Sequence, residues 1–153
     1  MTRVAVVARI RQAMQRDRPP SLNVALLQVC EALRVHAEPR NVLISLHAGE
    51  GACSLSETDV ATVALVVNEL ATNAIKHAFA EARRGHVWIS ISPQTARGVT
   101  VVVDDDGSAF PDVIGSGLGM GLVKRLMASI GGLFIPPAPG SKLFELRVPL
   151  AAS

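Results

Sequence analysis

The spacing of apolar residues along the chain predicts four helices and five strands. Helical spacing is clearest where Leu22, Leu26, Val29 and Leu33 fall on one face. Polar and apolar residues alternate over residues 41–47, as they do in a half-buried strand. The predicted helices cover residues 1–16, 21–36, 56–80 and 119–130. The predicted strands cover residues 41–47, 86–92, 98–104, 133–135 and 142–148.

Residues with special backbone preferences mark the ends of these elements. Ser21 and Ser56 stand where helices begin, and Asp59 can complete a capping box with Ser56. Gly131 and Gly132 end the last helix, because glycine readily adopts the left-handed conformation found at helix ends. Helices interleaved with these strands predict an α/β fold, a two-layer sandwich in which a mixed, mostly antiparallel sheet packs on helices.

Composition limits the class of protein. The chain has 153 residues, of which 49% are hydrophobic and 18% charged, so we expect one packed domain rather than a disordered chain. A net charge of +2 is too small to indicate a nucleic-acid surface, and no apolar run is long enough to predict a membrane span. Cys30 and Cys53 have no paired spacing, which favours reduced thiols in a cytoplasmic protein without direct membrane contact.

The first segment with candidate chemistry lies in the helix predicted over residues 56–80. Glu69, Asn73 and Lys76 are spaced at i, i+4 and i+7, so they share one helix face. An amide oxygen can ligate Mg²⁺, an ammonium can offset phosphate charge, and a carboxylate can accept a proton. The alternative for the same pattern is a solvated polar face on an amphipathic helix.

The second segment places three carboxylates, Asp104, Asp105 and Asp106, at the end of a β-branched strand before Gly107. A carboxylate there can accept a hydrogen bond from an exocyclic amine such as that of adenine. An ordinary polar turn is the alternative, which these residues alone favour. The oxygen spacing of a twelve-residue calcium loop is absent.

The third segment is a run of alternating glycines from Gly115 to Leu122 that opens into a helix. Glycines let backbone amides approach an anion, and a helix start adds partial positive charge, so the segment can cradle phosphates. It lacks the Gly-Lys-Ser/Thr ending of a Walker loop. A flexible connector is the alternative, which agrees poorly with a helix that begins inside the glycines.

Taken together, the order and spacing of these segments resemble the N, G1 and G2 boxes of the GHKL ATPase superfamily, to which gyrase and the histidine kinases belong. The resemblance covers about residues 21–150. Residues 68–79 are most similar to the HWE-like subgroup of sensor histidine kinases, and Gly140 to Phe144 resembles the Gly-Thr-x-Phe stretch near the end of such domains. The resemblance implies the Bergerat ATP-binding fold and the cofactors ATP and Mg²⁺.

The resemblance also implies residue roles. Asn73 would bind Mg²⁺, Lys76 would contact phosphate, and both would serve catalysis with Glu69. Asp105 would receive the adenine amine. His77 would either line the pocket or be structural. The remaining implied ATP-binding residues are Gly107, Gly117, Leu118, Gly119, Met120, Gly121 and Ser141.

The chain departs from the family pattern at three places. Ala109 replaces the second glycine of Asp-x-Gly-x-Gly, Ser141 replaces the usual threonine, and the lid over residues 110–116 is short. None of the four histidines has the sequence context of a phosphoacceptor. We therefore expect residues 1–20 to be the remnant of a dimerisation helix and residues 21–153 to be the ATP-binding catalytic domain.

These features predict the catalytic domain of a two-component sensor histidine kinase, which transfers the γ-phosphoryl of ATP to a histidine outside this chain. Its expected partners are a histidine-containing dimerisation domain, a response regulator and a second copy of itself in a homodimer, with no nucleic acid. The first alternative is a single-domain anti-sigma factor serine kinase of the same superfamily. The second is a non-catalytic adaptor with a decayed ATP site, against which the intact motif residues argue.

Overall fold

The computed structural model describes residues 21–49, 55–77, 84–107 and 120–150. Within these ranges the chain forms three α-helices and five strands. The helices are α1 (Leu22–Ala37), α2 (Glu57–His77) and α3 (Met120–Ser129), and a 3₁₀ turn (Glu38–Arg40) follows α1. The strands are β1 (Val42–Ala48), β2 (Gly85–Ile91), β3 (Val99–Asp105), β4 (Leu133–Ile135) and β5 (Phe144–Val148). The helix predicted over residues 1–16 lies outside the described residues.

The five strands form one sheet in the order β1-β2-β3-β5-β4. Strand β1 is parallel to β2, and the other neighbouring strands are antiparallel. Helix α2 connects the parallel pair, as a crossover between parallel strands requires. The predicted mixed, mostly antiparallel sheet packed on helices is therefore confirmed.

The hydrophobic core lies between the sheet and the helices. Residues of β2 and β3 alternate between buried and partly exposed, so each strand turns one face to the helical layer. Helix α2 packs against α1, α3, β2 and β3. The largest fully buried side chains include Leu26, Leu70, Ile89, Met127 and Leu146, contributed by both layers.

The helix ends follow the predicted caps. The Ser21 hydroxyl accepts a hydrogen bond from the Val24 N–H at 3.2 Å, and the Ser56 hydroxyl accepts one from the Asp59 N–H at 3.1 Å. After α3, Gly131 has a φ of +67°, a left-handed conformation that suits glycine at a helix end.

Four strand starts differ from the sequence prediction. Those of β2 and β3 differ by one residue: β2 begins at Gly85 rather than His86, and β3 at Val99 rather than Gly98. Asn41 has a φ of +58°, which no strand residue adopts, so β1 begins at Val42. Strand β5 begins at Phe144 rather than at Lys142. The Ser141 hydroxyl accepts a hydrogen bond from the Leu143 N–H at 3.1 Å, and this local turn replaces strand pairing there.

No helix in the described part of the chain has the length and apolar character needed to cross a membrane.

Candidate nucleotide-binding site

The polar face predicted on α2 is buried over two of its three members. Glu69 is 6% exposed and Asn73 is 8% exposed, whereas Lys76 is exposed. The interpretation of this face as solvated is therefore wrong for Glu69 and Asn73. Of the three residues, it holds only for Lys76. Burial of a carboxylate and an amide costs free energy unless both find polar partners. Each of the two side chains does take part in an interaction within the fold.

Three further polar residues of α2, which sequence reasoning did not single out, are also buried. Asn68 is 0% exposed, and Thr62 and Thr72 are each 8% exposed. Within the described part of the chain, the Asn68 amide and the Thr72 hydroxyl have no hydrogen-bond partner. A buried polar group left in that state costs about 1–3 kcal/mol. We call Asn68, Glu69, Thr72 and Asn73 the polar strip. Its sequence signal is four polar residues within six positions, directly after five apolar residues.

The carboxylate of Asp105 lies at the end of β3, with its side chain 3% exposed. Its Oδ1 atom accepts a hydrogen bond from the Gly107 N–H at 2.8 Å and lies 3.2 Å from the Lys142 ammonium. Burial raises the pKa of Asp105 above the ordinary value of an aspartate, while the Gly107 N–H and the Lys142 ammonium lower it and Asp104 raises it. Asp105 is therefore a hydrogen-bond acceptor in a buried environment that destabilises its ionised form.

The three consecutive carboxylates have different surroundings. Asp105 is buried, but Asp104 is half-buried and Asp106 is exposed, because successive strand residues face opposite sides of the sheet. The Asp104 carboxylate accepts the Asp105 N–H at 2.9 Å, and the Asp106 carboxylate accepts the His86 N–H at 2.8 Å. The polar-turn interpretation suits Asp106, whereas Asp105 faces the helical layer.

Lys142 is a member of the site that sequence reasoning missed. Val103 pairs with Phe144 across the antiparallel β3 and β5, so the same register carried two residues further brings Lys142 beside Asp105. The Lys142 side chain is 10% exposed. Strand alternation counted back from Phe144 is the sequence signal that could have found this residue.

The third segment is described only from Met120 onward. Met120 is the first residue of α3 and is 2% exposed, and its side chain packs in the core. Gly121 is exposed, and a Cβ added there would meet no atom within 4 Å. Ser141 is exposed. The other predicted residues, Gly117, Leu118 and Gly119, lie outside the described residues, as do Ala109, the lid over residues 110–116 and the side chain of His77.

By chain order the C-terminal end of α2 lies next to the start of β2, and by strand register the Asp105 end of β3 does too. The chain leaves α2 at His77 and enters β2 at Gly85, and Asp105 pairs with Val87 near the start of that strand. Since α2 also packs on β3 and α3, the three predicted segments belong to neighbouring elements.

The donor set suits a single Mg²⁺ held jointly with phosphate. Within the described residues there is no group of three or more His, Cys, Asp or Glu side chains that could hold a metal by themselves. Mg²⁺ is commonly bound through one or two protein oxygens together with substrate phosphates and waters, and Asn73 and Glu69 offer oxygens of that kind.

Comparisons with known proteins agree with this architecture. The sequence profile of the family described as "Histidine kinase-like ATPase domain" matches residues 35–131. The curated protein "Blue-light-activated histidine kinase 2" of Erythrobacter litoralis (strain HTCC2594) is 32% identical over 94 residues, which are 58% of this chain and 27% of that protein. The chain therefore spans about a quarter of the length of this relative.

Solved structures show the same fold at lower identity. The blue-light activated histidine kinase EL346 of Erythrobacter litoralis superposes with a TM-score of 0.82 at 22% identity, over 97% of this chain and 53% of that one. The Acinetobacter baumannii histidine kinase AdeS superposes with a TM-score of 0.68 at 15% identity, over 98% of this chain and 76% of that one. These neighbours are histidine kinases rather than anti-sigma factor kinases. The profile match covers most of the described fold and confirms the predicted family. This chain belongs to the family of histidine kinase-like ATPase domains.

Proposed function

We propose that this domain binds ATP with Mg²⁺ and transfers the γ-phosphoryl group to a histidine on a separate dimerisation domain. The observation that carries the proposal is the burial of two polar side chains, Asn73 on α2 and Asp105 at the end of β3, in an ATPase-family fold. Membership in that family implies use of a nucleotide. The metal, the residue roles and the histidine acceptor form the proposal.

At the adenine end, the carboxylate of Asp105 accepts a hydrogen bond from the 6-amino group of the base. Its position is fixed by the turn through Gly107, whose N–H holds Oδ1 at 2.8 Å. A carboxylate that is 3% exposed is shielded from water, so its hydrogen bond to a ligand is stronger than it would be on the surface.

At the phosphate end, Asn73 provides an amide oxygen to Mg²⁺, and Lys76 offsets phosphate charge from the exposed side of α2. When bound, Mg²⁺ neutralises charge on the phosphate oxygens during transfer. The exposed side of Gly121 in the first turn of α3 leaves room for phosphate beside the helix start. This end of the site is therefore completed by the ligand itself.

In the reaction, an imidazole nitrogen of the acceptor forms a bond to the γ-phosphorus while the bond to the β–γ bridging oxygen breaks. ADP leaves with the electron pair of that bond. Glu69 accepts the proton that the acceptor imidazole releases. Because such transfer depends mainly on positioning and charge neutralisation, the domain alone turns over ATP slowly until a histidine docks.

The finer assignments follow from the sequence resemblance and belong to the same proposal. They are the HWE-like subgroup, a response regulator as the final acceptor, a homodimer and a cytoplasmic location.

Labelling with γ-³²P-ATP and a phosphoacceptor domain encoded beside this protein tests the proposal. We expect Mg²⁺-dependent label on the acceptor that is lost in acid and kept in base, as the phosphorus–nitrogen bond of phosphohistidine requires. Calorimetric titration with ATP and Mg²⁺ should show binding by the domain alone. Acid-stable label would indicate serine transfer, and the absence of both label and nucleotide binding would refute the proposal.

A further inference from the structure

The ammonium of Lys142 and the carboxylate of Asp105 form a buried ion pair at the proposed adenine end. Their side chains are 10% and 3% exposed, and the two charged groups are 3.2 Å apart. A lysine this buried is uncommon unless its charge is paired. The fold brings the two residues together, because both lie two residues beyond the Val103–Phe144 pair that ends the β3–β5 ladder.

The ion pair leaves one side of the carboxylate for a ligand. In the described part of the chain, both contacts of the Asp105 carboxylate, with the Gly107 N–H and with the Lys142 ammonium, are made by Oδ1. We assign Oδ2 to the nucleotide base, since Oδ1 carries both of these contacts.

We propose that Lys142 is a positioning residue that selects adenine over 6-oxopurines by holding Asp105 in its ionised, acceptor-only form. This inference rests on the proposed function, since it concerns the base that Asp105 receives. An ionised carboxylate only accepts hydrogen bonds, which matches the 6-amino group of adenine. A protonated carboxyl group can donate, and it would then match the 6-oxo group of hypoxanthine or guanine.

The surroundings of Asp105 make such support necessary. Burial raises the pKa of its carboxyl group, and the neighbouring Asp104 raises it further. The groups that oppose them are the Gly107 N–H and the Lys142 ammonium, of which only Lys142 carries a full charge. Without that ammonium, the pKa of Asp105 would be higher still, so its carboxyl group would stay protonated over a wider pH range.

The test compares ATP with inosine 5′-triphosphate, which differs from ATP by a 6-oxo group in place of the amine. The ratio of the two dissociation constants cancels any effect of the lysine on the triphosphate, which both ligands share. We expect a preference for ATP of about tenfold or more in the unchanged protein, since hydrogen bonds to charged groups are the stronger ones.

Lys142→Met should reduce the ATP preference to about threefold or less, and Lys142→Arg should restore most of it, because arginine keeps the charge. Arg147→Met is the matched control: it removes a cation from the exposed Arg147–Glu145 pair on β5 and should leave the ratio unchanged. Melting temperatures of all variants separate a loss of folding from a change in specificity.

The outcomes distinguish this inference from the proposed function. If the unchanged protein binds ATP but Lys142→Met keeps the full preference, the role of Lys142 is refuted while the proposed function stands. If Lys142→Met binds ATP more tightly, the lysine competes with the base, which also refutes the inference. If the unchanged protein binds neither nucleotide, the proposed function fails and the inference fails with it.

Discussion

The adenine end and the phosphate end of the proposed site are built in different ways. At the adenine end, Asp105 is fixed by a backbone N–H, by a buried ammonium and by its place at the end of a strand. At the phosphate end, α2 presents a buried carboxylate and a buried amide together with one exposed ammonium, Lys76. The fold itself supplies every group that holds Asp105 at the adenine end. The phosphate end, in contrast, is completed only when the phosphates and Mg²⁺ of the ligand bind.

This difference follows from what each end has to recognise. A base has fixed donors and acceptors at fixed positions, so a rigid acceptor on a sheet can be prepared for it before binding. A triphosphate carries several negative charges and a metal, which a protein offsets with amide oxygens, ammonium groups and helix starts. We therefore expect substitutions at the adenine end to affect all adenine ligands and substitutions at the phosphate end to affect catalysis and metal dependence.

The largest effect should come from Asn73→Ala. We expect phosphoryl transfer to fall on the order of 100-fold or more, as when one group that stabilises the transition state is removed. Binding of adenosine should be nearly unchanged, and the Mg²⁺-dependent part of ATP binding should be lost. Thr62→Ala, another buried polar residue on α2, is the matched control. An equal loss of adenosine binding in metal-free buffer would contradict a metal role for Asn73.

The next effect should come from Asp105→Asn. We expect ATP, ADP and adenosine all to bind about 10- to 100-fold more weakly, with or without metal, because a charged acceptor is replaced by an amide. Asp106→Asn provides the same charge change one residue away and keeps an oxygen that can accept the His86 N–H. If only the affinity for ATP fell, Asp105 would have to lie near the phosphates, and its assignment to the adenine end would be wrong.

Acid pH should weaken adenosine binding, because protonated Asp105 loses acceptor capacity. The pKa of Asp105 is raised in the folded protein, so affinity for adenosine should decrease as pH falls through that raised pKa, by up to about tenfold per pH unit below it.

The stability of the ligand-free protein should change with pH in the opposite direction. The folded state binds this proton more tightly than the unfolded state, so the contribution of Asp105 to stability decreases as pH rises from the unfolded to the folded pKa.

Adenosine titrations across pH, beside melting temperatures of the ligand-free protein, measure both trends. Asp105→Asn should remove both of them, and a trend that survives this substitution belongs to another group.

A smaller effect is expected from Lys76→Gln at the phosphate end. We expect ATP to bind about three- to tenfold more weakly and adenosine to bind as before, since an exposed ammonium contributes modestly and only to charged ligands. The loss should shrink at high salt, because exposed charges are screened. Lys124→Gln on the exposed side of α3 is the matched control. Equal losses for adenosine and ATP would remove Lys76 from the phosphate site.

The smallest effect should come from Gly121→Ala. The added Cβ meets no atom within 4 Å, so the ligand-free protein should be as stable or up to about 1 kcal/mol more stable. ATP affinity should nevertheless fall about two- to threefold if phosphate approaches this backbone closely. Gly132→Ala should instead destabilise the protein. Its added Cβ would lie 2.8 Å from Met127 Cε and 2.9 Å from the Arg147 carbonyl oxygen, which is too close for an unstrained contact. Unchanged ATP affinity in Gly121→Ala would remove this glycine from the phosphate cradle.

Much of the fold could be predicted from local patterns. The caps at Ser21 and Ser56 and the glycine end of α3 are where the sequence predicts them, because capping depends on residues within one helical turn. The family could also be predicted, since three motifs in order are far more specific than one. The start of β5 could not, because a hydroxyl hydrogen bond at Ser141 competes with strand pairing.

The amino-acid sequence was enough to predict the three described helices and the five strands to within one or two residues at most ends, together with the family and the places along the chain where polar groups cluster. Only the tertiary structure decided which of those polar groups are removed from water: Glu69 and Asn73 but not Lys76, and Asp105 but not Asp106. It also decided that Lys142, distant in sequence, lies 3.2 Å from Asp105. The physical reason is that periodicity fixes the face on which a residue lies, whereas burial and charge pairing depend on which elements cover that face.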